Sequence, residues 1–309
     1  MINRLIKFIG ICFFILALVL VDQEIRRVGA HHIMMLLEQI RPDVILGALF
    51  LTGVDFCFLA GYDILALRYL VRKIPFFKVF AVAGLGFAVS NTTGHAYLAG
   101  GSLRYLFYRS QLRKIDILKL ITMDSLTFFL GMTVAFIGAV CLMPVEGVSL
   151  PPFYHKLMMG IGGILGSLSL MYILTVVWPQ RSLKIRQIVI RAPSFLMTSE
   201  QMILGLGDIL SSFFVFYVIL SSYMAVPFLP ILVIFILAQV IGLSSQIPGG
   251  LGVFEGVFLY LFSQIIPQQG EAVTALIVFR VLYYFVPFGM ATGLLALRWG
   301  YQKLQMKKT

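Results

Sequence analysis

Gln246-Ile247-Pro248-Gly249-Gly250-Leu251-Gly252-Val253-Phe254-Glu255 interrupts an apolar run that extends from Ile231 to Ile265. Proline lacks a backbone donor and glycine weakens helices, so a turn is predicted at Pro248-Gly249-Gly250. The backbone groups freed there cannot face lipid and must turn toward protein or water. The arms on either side are roughly 14 to 17 residues, short of the about 20 needed to span a hydrocarbon core. The simplest reading is a re-entrant hairpin, which enters a membrane and leaves by the same face.

The same pattern occurs earlier in the chain. Sliding the sequence against itself by 155 residues lays Ser90, Gly94, Gly101, Tyr105, Leu106 and Phe107 on Ser245, Gly249, Gly256, Tyr260, Leu261 and Phe262. It also lays the apolar run 44–70 on 199–225, 76–109 on 231–264, and 117–143 on 272–298. Each half, 44–143 and 199–298, therefore reads as helix, interrupted hairpin, helix. The first interrupted segment runs from Phe80 to Tyr108 with Asn91-Thr92-Thr93-Gly94-His95 in its middle. Lys73 and Arg109 flank it, whereas the second hairpin has almost no flanking cations, so the two are expected to enter from opposite faces. The crossings between them are odd in number, which makes the repeats inverted, a recurring transporter architecture. The alternative is two kinked helix pairs that cross fully.

Composition sets this pattern in a bilayer. Of 309 residues, 60% are hydrophobic and 12% charged, against about half and a quarter in a soluble domain, which excludes a soluble globular enzyme. Further apolar runs at 5–21, 157–178 and 203–223 complete an all-α polytopic integral membrane protein. It has about six full crossings and two re-entrant hairpins, or eight crossings. Connections of at most roughly 20 residues leave no room for another domain, so 1–309 reads as a single transmembrane domain.

Lys and Arg number 24 against 13 Asp and Glu, a net charge of +11. On a soluble protein this excess would point to nucleic acid; here it marks the cytoplasmic face. The basic groups are Arg4 and Lys7; Arg68, Arg72 and Lys73; Arg104, Arg109, Arg113 and Lys114; Arg181, Lys184, Arg186 and Arg191; and Arg298, Lys303, Lys307 and Lys308. The intervening connections hold Asp22, Glu24, Glu38, Asp43, Glu146 and Glu271, so both termini are expected in the cytoplasm. Leu18-Val19-Leu20-Val21 offers no small residues for cleavage, and the first segment reads as a retained helix.

Asp55, Asp63, Asp124, Glu200, Asp208, Glu255, Arg104, Arg280 and His95 fall within apolar runs or at their mouths. A charge at a helix centre costs on the order of 2.5 to 3.5 kcal/mol on insertion scales, so several together imply pairing or a wet cavity. Asp55 with Asp63, and Glu200 with Asp208, are each spaced to address one interior, although Asp63 and Glu200 sit near ends where snorkelling competes. Asp124 and Arg280 lie on helices matched by the repeat, one residue out of register, and are expected to pair; the alternative is that Arg280 faces the cavity without Asp124, with Glu255 as its partner. Asn91, Gly249 and Gly250 are expected to line the space where the hairpin turns meet.

Other features read as structural. Gly160, Gly163 and Gly166, and Gly289 with Gly293, are expected at close helix contacts. Cys12, Cys57 and Cys141 are expected to be packing residues. Met34 to Ile40 and Leu183 to Ile190 look like interfacial helices. His31, His32 and His155 lack metal-ligand spacing, and no nucleophile, phosphate-loop or zinc motif occurs, so no metal, cofactor or catalytic residue is expected.

Four stretches together are more specific than any one: Ala99-Gly100-Gly101-Ser102-Leu103-Arg104 with Tyr108-Arg109; Pro248 through Glu255; Phe279-Arg280-Val281-Leu282-Tyr283-Tyr284; and Pro287. Their order and spacing resemble the flippase-type transmembrane region of lysylphosphatidylglycerol synthases, the multiple peptide resistance factors, and stand-alone bacterial inner-membrane proteins that share it. The resemblance implies a lipid-handling protein of the bacterial inner membrane whose matching residues are Arg104, Arg109, Glu255 and Arg280. After Leu297 only a basic tail follows, whereas the synthases continue into an aminoacyltransferase domain, so the identity of the lipid is open.

The expected activity is movement of a phospholipid, aminoacyl-phospholipid, or polyprenyl- or hopanoid-type lipid between leaflets. A headgroup phosphate would sit near Arg104 or Arg280, since arginine presents two donors to it. A cationic substituent would sit near Asp124, Glu255, Asp55 or Asp208. Two other classes stay open, a scaffold for a separate lipid-modifying enzyme and an ion-coupled solute transporter. The expected partners are membrane lipids with phosphate-containing headgroups and such an enzyme, with no nucleic acid; a homo-oligomer is compatible with the sequence.

Overall fold

A computed structural model describes residues 35, 38–93, 96–142, 152–177, 183–185, 188–190, 192–245, 248–266 and 270–293. The expected first helix, most of Met34 to Ile40, Glu146 and both termini lie outside these residues. The chain is an all-α polytopic membrane protein. Its helices are α1 (Pro42–Tyr69), α2 (Phe76–Thr93), α3 (Ala96–Tyr108), α4 (Lys114–Leu142), α5 (Pro152–Val177), α6 (Phe195–Tyr223), α7 (Phe228–Ser244), α8 (Val253–Ser263) and α9 (Gly270–Phe279). A single 3-10 turn, Pro248–Gly250, joins α7 to α8, and α9 continues through a π-helical turn, Arg280–Phe285. Among the described residues five helices are long and apolar enough to cross a membrane: α1, α4, Phe153–Val177, α6 and Gly270–Gly293.

Local chemistry explains the ends. Pro42 opens α1, where its missing donor costs nothing, and Asp43 and Arg68 suit the dipole at its two ends. Ser194 caps α6 by accepting from the Met197 amide at 3.2 Å. In α8 the Glu255 carboxylate caps its own helix, accepting from the Gly252 amide at 2.8 Å. Gly249, Gly250 and Gly252 all have positive φ, which only glycine adopts without strain. The predicted break in the second apolar run is therefore a tight turn between two short helices, of 17 and 11 residues.

Helices α2 and α3 pack against each other, as do α7 and α8, so both interrupted segments form helical hairpins. The first hairpin packs on α1 and α4, and the second on α6, α9 and α4. At the centre α1 and α6 run antiparallel. Arg68 near the end of α1 pairs with Glu200 near the start of α6, and Asp55 meets Ser211 farther along. Helix α4 runs parallel to α6, with Gln201 Nε2 donating to Thr127 Oγ1 at 3.1 Å. There the backbones touch: a Cβ on Gly131 would lie 1.9 Å from the Gly205 carbonyl carbon.

The core is uneven. Phe213, Phe216, Phe235, Phe254, Phe258 and Phe279 form an aromatic cluster on α6 to α9, and α7 is buried on all sides from Pro230 to Ala238. A smaller cluster, including Val79, Val82, Tyr108 and Leu120, supports the first hairpin.

Three expectations are corrected. Leu183–Ile185 and Ile188–Ile190 are short antiparallel strands, not an interfacial helix. Ile188-Val189-Ile190 is β-branched throughout, and the segment is too short to offset helix nucleation. Gly160, Gly163, Gly166, Gly289 and Gly293 have nothing within 4 Å of a Cβ position, and the close contacts fall at Gly131, Gly205 and Gly100 instead. Cys57 and Cys141 are exposed on the outer surface, not packed inside.

Candidate functional site

Within this bundle, Asp55, Asp63, Arg104, Asp124, Asp208, Glu255 and Arg280 are all buried, none more than 8% exposed. They form three groups.

The first is centred on Arg104, on α3 of the first hairpin. Its Nε and Nη2 donate to Asp63 Oδ1 on α1 at 3.0 and 2.7 Å. Nη2 also lies 3.0 Å from Asp124 Oδ2 on α4. Tyr108, one helical turn after Arg104, donates to the other Asp63 oxygen at 3.0 Å. The guanidinium carbon rests 4.4 Å from the Phe87 ring centre on α2 and passes over Gly86, where a Cβ would lie 3.3 Å from Nη1. Asp63, for which snorkelling was the competing reading, is fully buried here. Asp124 is less settled, because neither of its buried oxygens has a hydrogen-bond donor.

The second group lies at the second hairpin. Arg280 opens the π turn and donates from Nε to Glu255 Oε1 at 2.5 Å and from Nη1 to the Gly249 carbonyl at 2.8 Å. Its guanidinium carbon lies 4.5 Å from the Tyr284 ring centre and 5.2 Å from that of Phe254. One side chain thus ties the Pro248–Gly250 turn, α8 and the last crossing helix together. The expected Asp124–Arg280 pair does not form. Each takes a partner from its own half: Arg104 for Asp124, Glu255 for Arg280.

The third group is Asp55 and Asp208, the fourteenth residues of α1 and α6, whose lengths are 28 and 29. Ser211 and Tyr283 donate to Asp55 Oδ1 and Oδ2, each at 2.7 Å. Tyr62 donates to Asp208 Oδ2 at 2.6 Å. The two carboxyl groups are within hydrogen-bond reach of each other. The π turn lets Arg280 and Tyr283 address different helices, and such turns concentrate at functional positions.

Other predicted site residues separate from these groups. Glu200 pairs with the exposed Arg68, because eight residues carry it about 12 Å along α6 from Asp208. Arg109 is exposed in the turn after α3. Near it, Asp116 gathers Arg72 and Arg113, and the bond to Asp116 raises the Arg113 guanidinium above its ordinary value. Asn91 lies in the last turn of α2, and Gly250 beside the contact from Arg280 to Gly249; the Asn91 side chain and His95 are outside the described residues. Helix α2 packs directly against the Pro248–Gly250 turn and against the π turn, so the two hairpins meet beside Arg280. The residues missed from sequence are Tyr62, Tyr108, Ser211 and Tyr283. Helical spacing was the available signal for three of them: Tyr108 is four residues from Arg104, Ser211 three from Asp208 and Tyr283 three from Arg280.

The arrangement is that of a polytopic protein with an ionisable interior, and the chain belongs to the family of the lysylphosphatidylglycerol synthase transmembrane region, matched over residues 7–291. It is 30% identical over 290 residues to protein slr0712 of Synechocystis sp., an alignment covering 92% of this chain and 88% of that one. Inner membrane protein YbhN of Escherichia coli K12 is 26% identical over 285 residues, 90% of this chain and 87% of YbhN. Phosphatidylglycerol lysyltransferase of Bacillus subtilis is 25% identical over 233 residues, 72% of this chain but 26% of that protein.

Proposed function

We propose that this chain is a lipid flippase or lipid-transfer protein of the bacterial inner membrane, built as one transmembrane domain of two inverted repeats and not an enzyme. The observation that carries this reading is the meeting of α2 with the Pro248–Gly250 turn beside Arg280 and Glu255. Two short-armed hairpins converge on buried charges, which a simple membrane anchor has no need of. The antiparallel packing of the repeat-matched helices α1 and α6 supports inverted halves, and the arm lengths of α3 and α8 support re-entry. Membership of a family that includes the transmembrane region of a lipid-modifying protein supports a lipid substrate.

Both buried arginines already hold carboxylates. A headgroup phosphate therefore reaches Arg104 or Arg280 only as one of these pairs opens, which links substrate entry to a change of shape. Purified protein in liposomes should speed exchange of headgroup-labelled lipid between leaflets while leaving the lipid chemically unchanged. Absence of exchange with phospholipid, aminoacyl-phospholipid and polyprenyl-phosphate, together with copurification of a lipid-modifying enzyme, would replace this reading with the scaffold.

A further inference from the structure

Among the described residues six carboxyl groups are buried, Asp55, Asp63, Asp116, Asp124, Asp208 and Glu255, against two guanidiniums, Arg104 and Arg280; Asp116, near the start of α4, is held by Arg72 and Arg113. The two buried arginines are bound to Asp63, Asp124 and Glu255. Asp55 and Asp208 form no ion pair with any described residue, yet they lie at the midpoints of the two central helices. Two carboxylates in contact in a low-dielectric interior cannot both be ionised without a compensating charge, and a hydrogen bond between them requires a proton on one.

The hydroxyl arrangement identifies that charge. Three of the four carboxyl oxygens accept a hydroxyl, from Ser211, Tyr283 and Tyr62. Each donor presents a hydrogen to the pair, whereas a metal cation would need six or so lone pairs turned inward. The remaining oxygen is Asp208 Oδ1. A proton on that oxygen completes the group.

A second observation, outside the pair, also points to a proton. Asp124 is buried and shares the Arg104 guanidinium with Asp63, its Oδ2 lying 3.0 Å from Nη2, yet neither of its oxygens accepts a hydrogen bond of good geometry.

We propose that Asp55 and Asp208 form a proton-binding site at the middle of the membrane, and that one proton bound and released there is coupled to each lipid moved. The coupling rests on the lipid-transport reading; the proton site does not. The titratable and charged groups around the pair are Tyr62 on α1, Tyr283 and Tyr284 on the π turn, and Asp124 on α4 with Arg104 behind it. Glu271 begins α9, Tyr172 on α5 bonds Gln201, Lys78 on α2 bonds Gln111, and Phe228–Ser244 of α7 carries no titratable side chain.

Two measurements test the proposal. In liposomes of phosphatidylethanolamine and phosphatidylglycerol with a headgroup-labelled tracer, a pH difference of one unit should shift the steady-state leaflet ratio by up to about tenfold, the equivalent of one proton. Asp55→Asn and Asp208→Asn, which keep the side-chain shape, should hold the ratio at unity, while the exposed Asp43→Asn should follow wild type. Separately, infrared spectra of the wild-type protein at neutral pH should contain protonated-carboxyl C=O intensity that falls in both interior variants. Rapid exchange with a ratio indifferent to the pH gradient, or a ratio that follows sodium instead, overturns the coupling. If no lipid moves at all, the lipid reading fails alone, and the infrared intensity decides the proton site: a fall in both variants supports the site, and intensity absent from wild type or unchanged in either variant overturns it.

Discussion

In the second hairpin, Glu255 on α8 faces Arg280 on the crossing helix that follows; in the first, Arg104 on α3 faces Asp124 on the crossing helix that follows. Under the repeat shift Arg104 falls one helical turn beyond Glu255, and Asp124 one residue from Arg280. Each half therefore carries a hairpin-to-helix ion pair at matched depth, with the signs exchanged. The surroundings differ. Around Arg280 the charges cancel, Glu255 also caps α8, and the aromatic cluster closes over the hairpin. Around Arg104 two carboxyls share one guanidinium, Asp124 has no hydrogen-bond donor, and Phe76 and Phe77 at the start of the hairpin are exposed. The second hairpin is built as a fixed wall. In the first, the Arg104–Asp124 contact is the one that can open at least cost, since Arg104 keeps both bonds to Asp63.

The largest effect should come from breaking the closed pair. Arg280→Gln leaves Glu255 buried without its cation and frees the Gly249 carbonyl, so the apparent unfolding midpoint in detergent should fall by the equivalent of about 3 to 5 kcal/mol. Arg280→Gln with Glu255→Gln should recover part of that loss. Equal losses from the single and double variants would mean that Glu255 is not the partner on which Arg280 depends.

The sequence named Glu255 as the alternative partner of Arg280 but placed the Asp124–Arg280 pair first, so the residues were legible and the choice between pairings was not. Pro248 and the glycines marked the turn, hydropathy marked the crossings, and the interior charges stood out because each is costly in lipid. Partner choice depends on which helices pack together in three dimensions. Asp55 comes to Asp208 because α1 and α6 pack directly on each other. Helices α4 and α9 each pack on α6, so their matched charges, Asp124 and Arg280, turn to their own hairpins. The tyrosines were hidden for another reason: in an apolar helix a tyrosine is unremarkable until a carboxylate is known to face its hydroxyl.

An intermediate effect is expected where α4 and α6 touch. A Cβ on Gly205 would lie 2.3 Å from the Thr127 carbonyl oxygen, so Gly205→Ala must push apart the two helices that frame both hairpins. Overpacking of this kind costs about 1 to 3 kcal/mol, read as a lowered unfolding midpoint. Gly160→Ala meets open space and should stay within about 0.5 kcal/mol of wild type. Similar losses at both positions would show α5 covered by a neighbouring helix on that face, which would make its glycines contacts after all.

The smallest effect separates the two clusters most sharply. Asp124→Asn removes a carboxylate that no donor satisfies and leaves Arg104 with both bonds to Asp63. The new amide can donate to Asp63, offsetting the lost attraction to Arg104, so stability should change by no more than about 1 kcal/mol. Asp63→Asn, by contrast, leaves Arg104 and Tyr108 facing a neutral group and should approach the loss seen for Arg280→Gln. Combined with Arg280→Gln, Asp124→Asn should add its own effect to within about 0.5 kcal/mol, as residues without a shared partner do. An Asp124→Asn loss as large as that of Asp63→Asn would make Asp124 the principal partner of Arg104 and the first cluster as closed as the second. Coupling between Asp124 and Arg280 would instead bring the two halves' charges into contact in a conformation other than the one described.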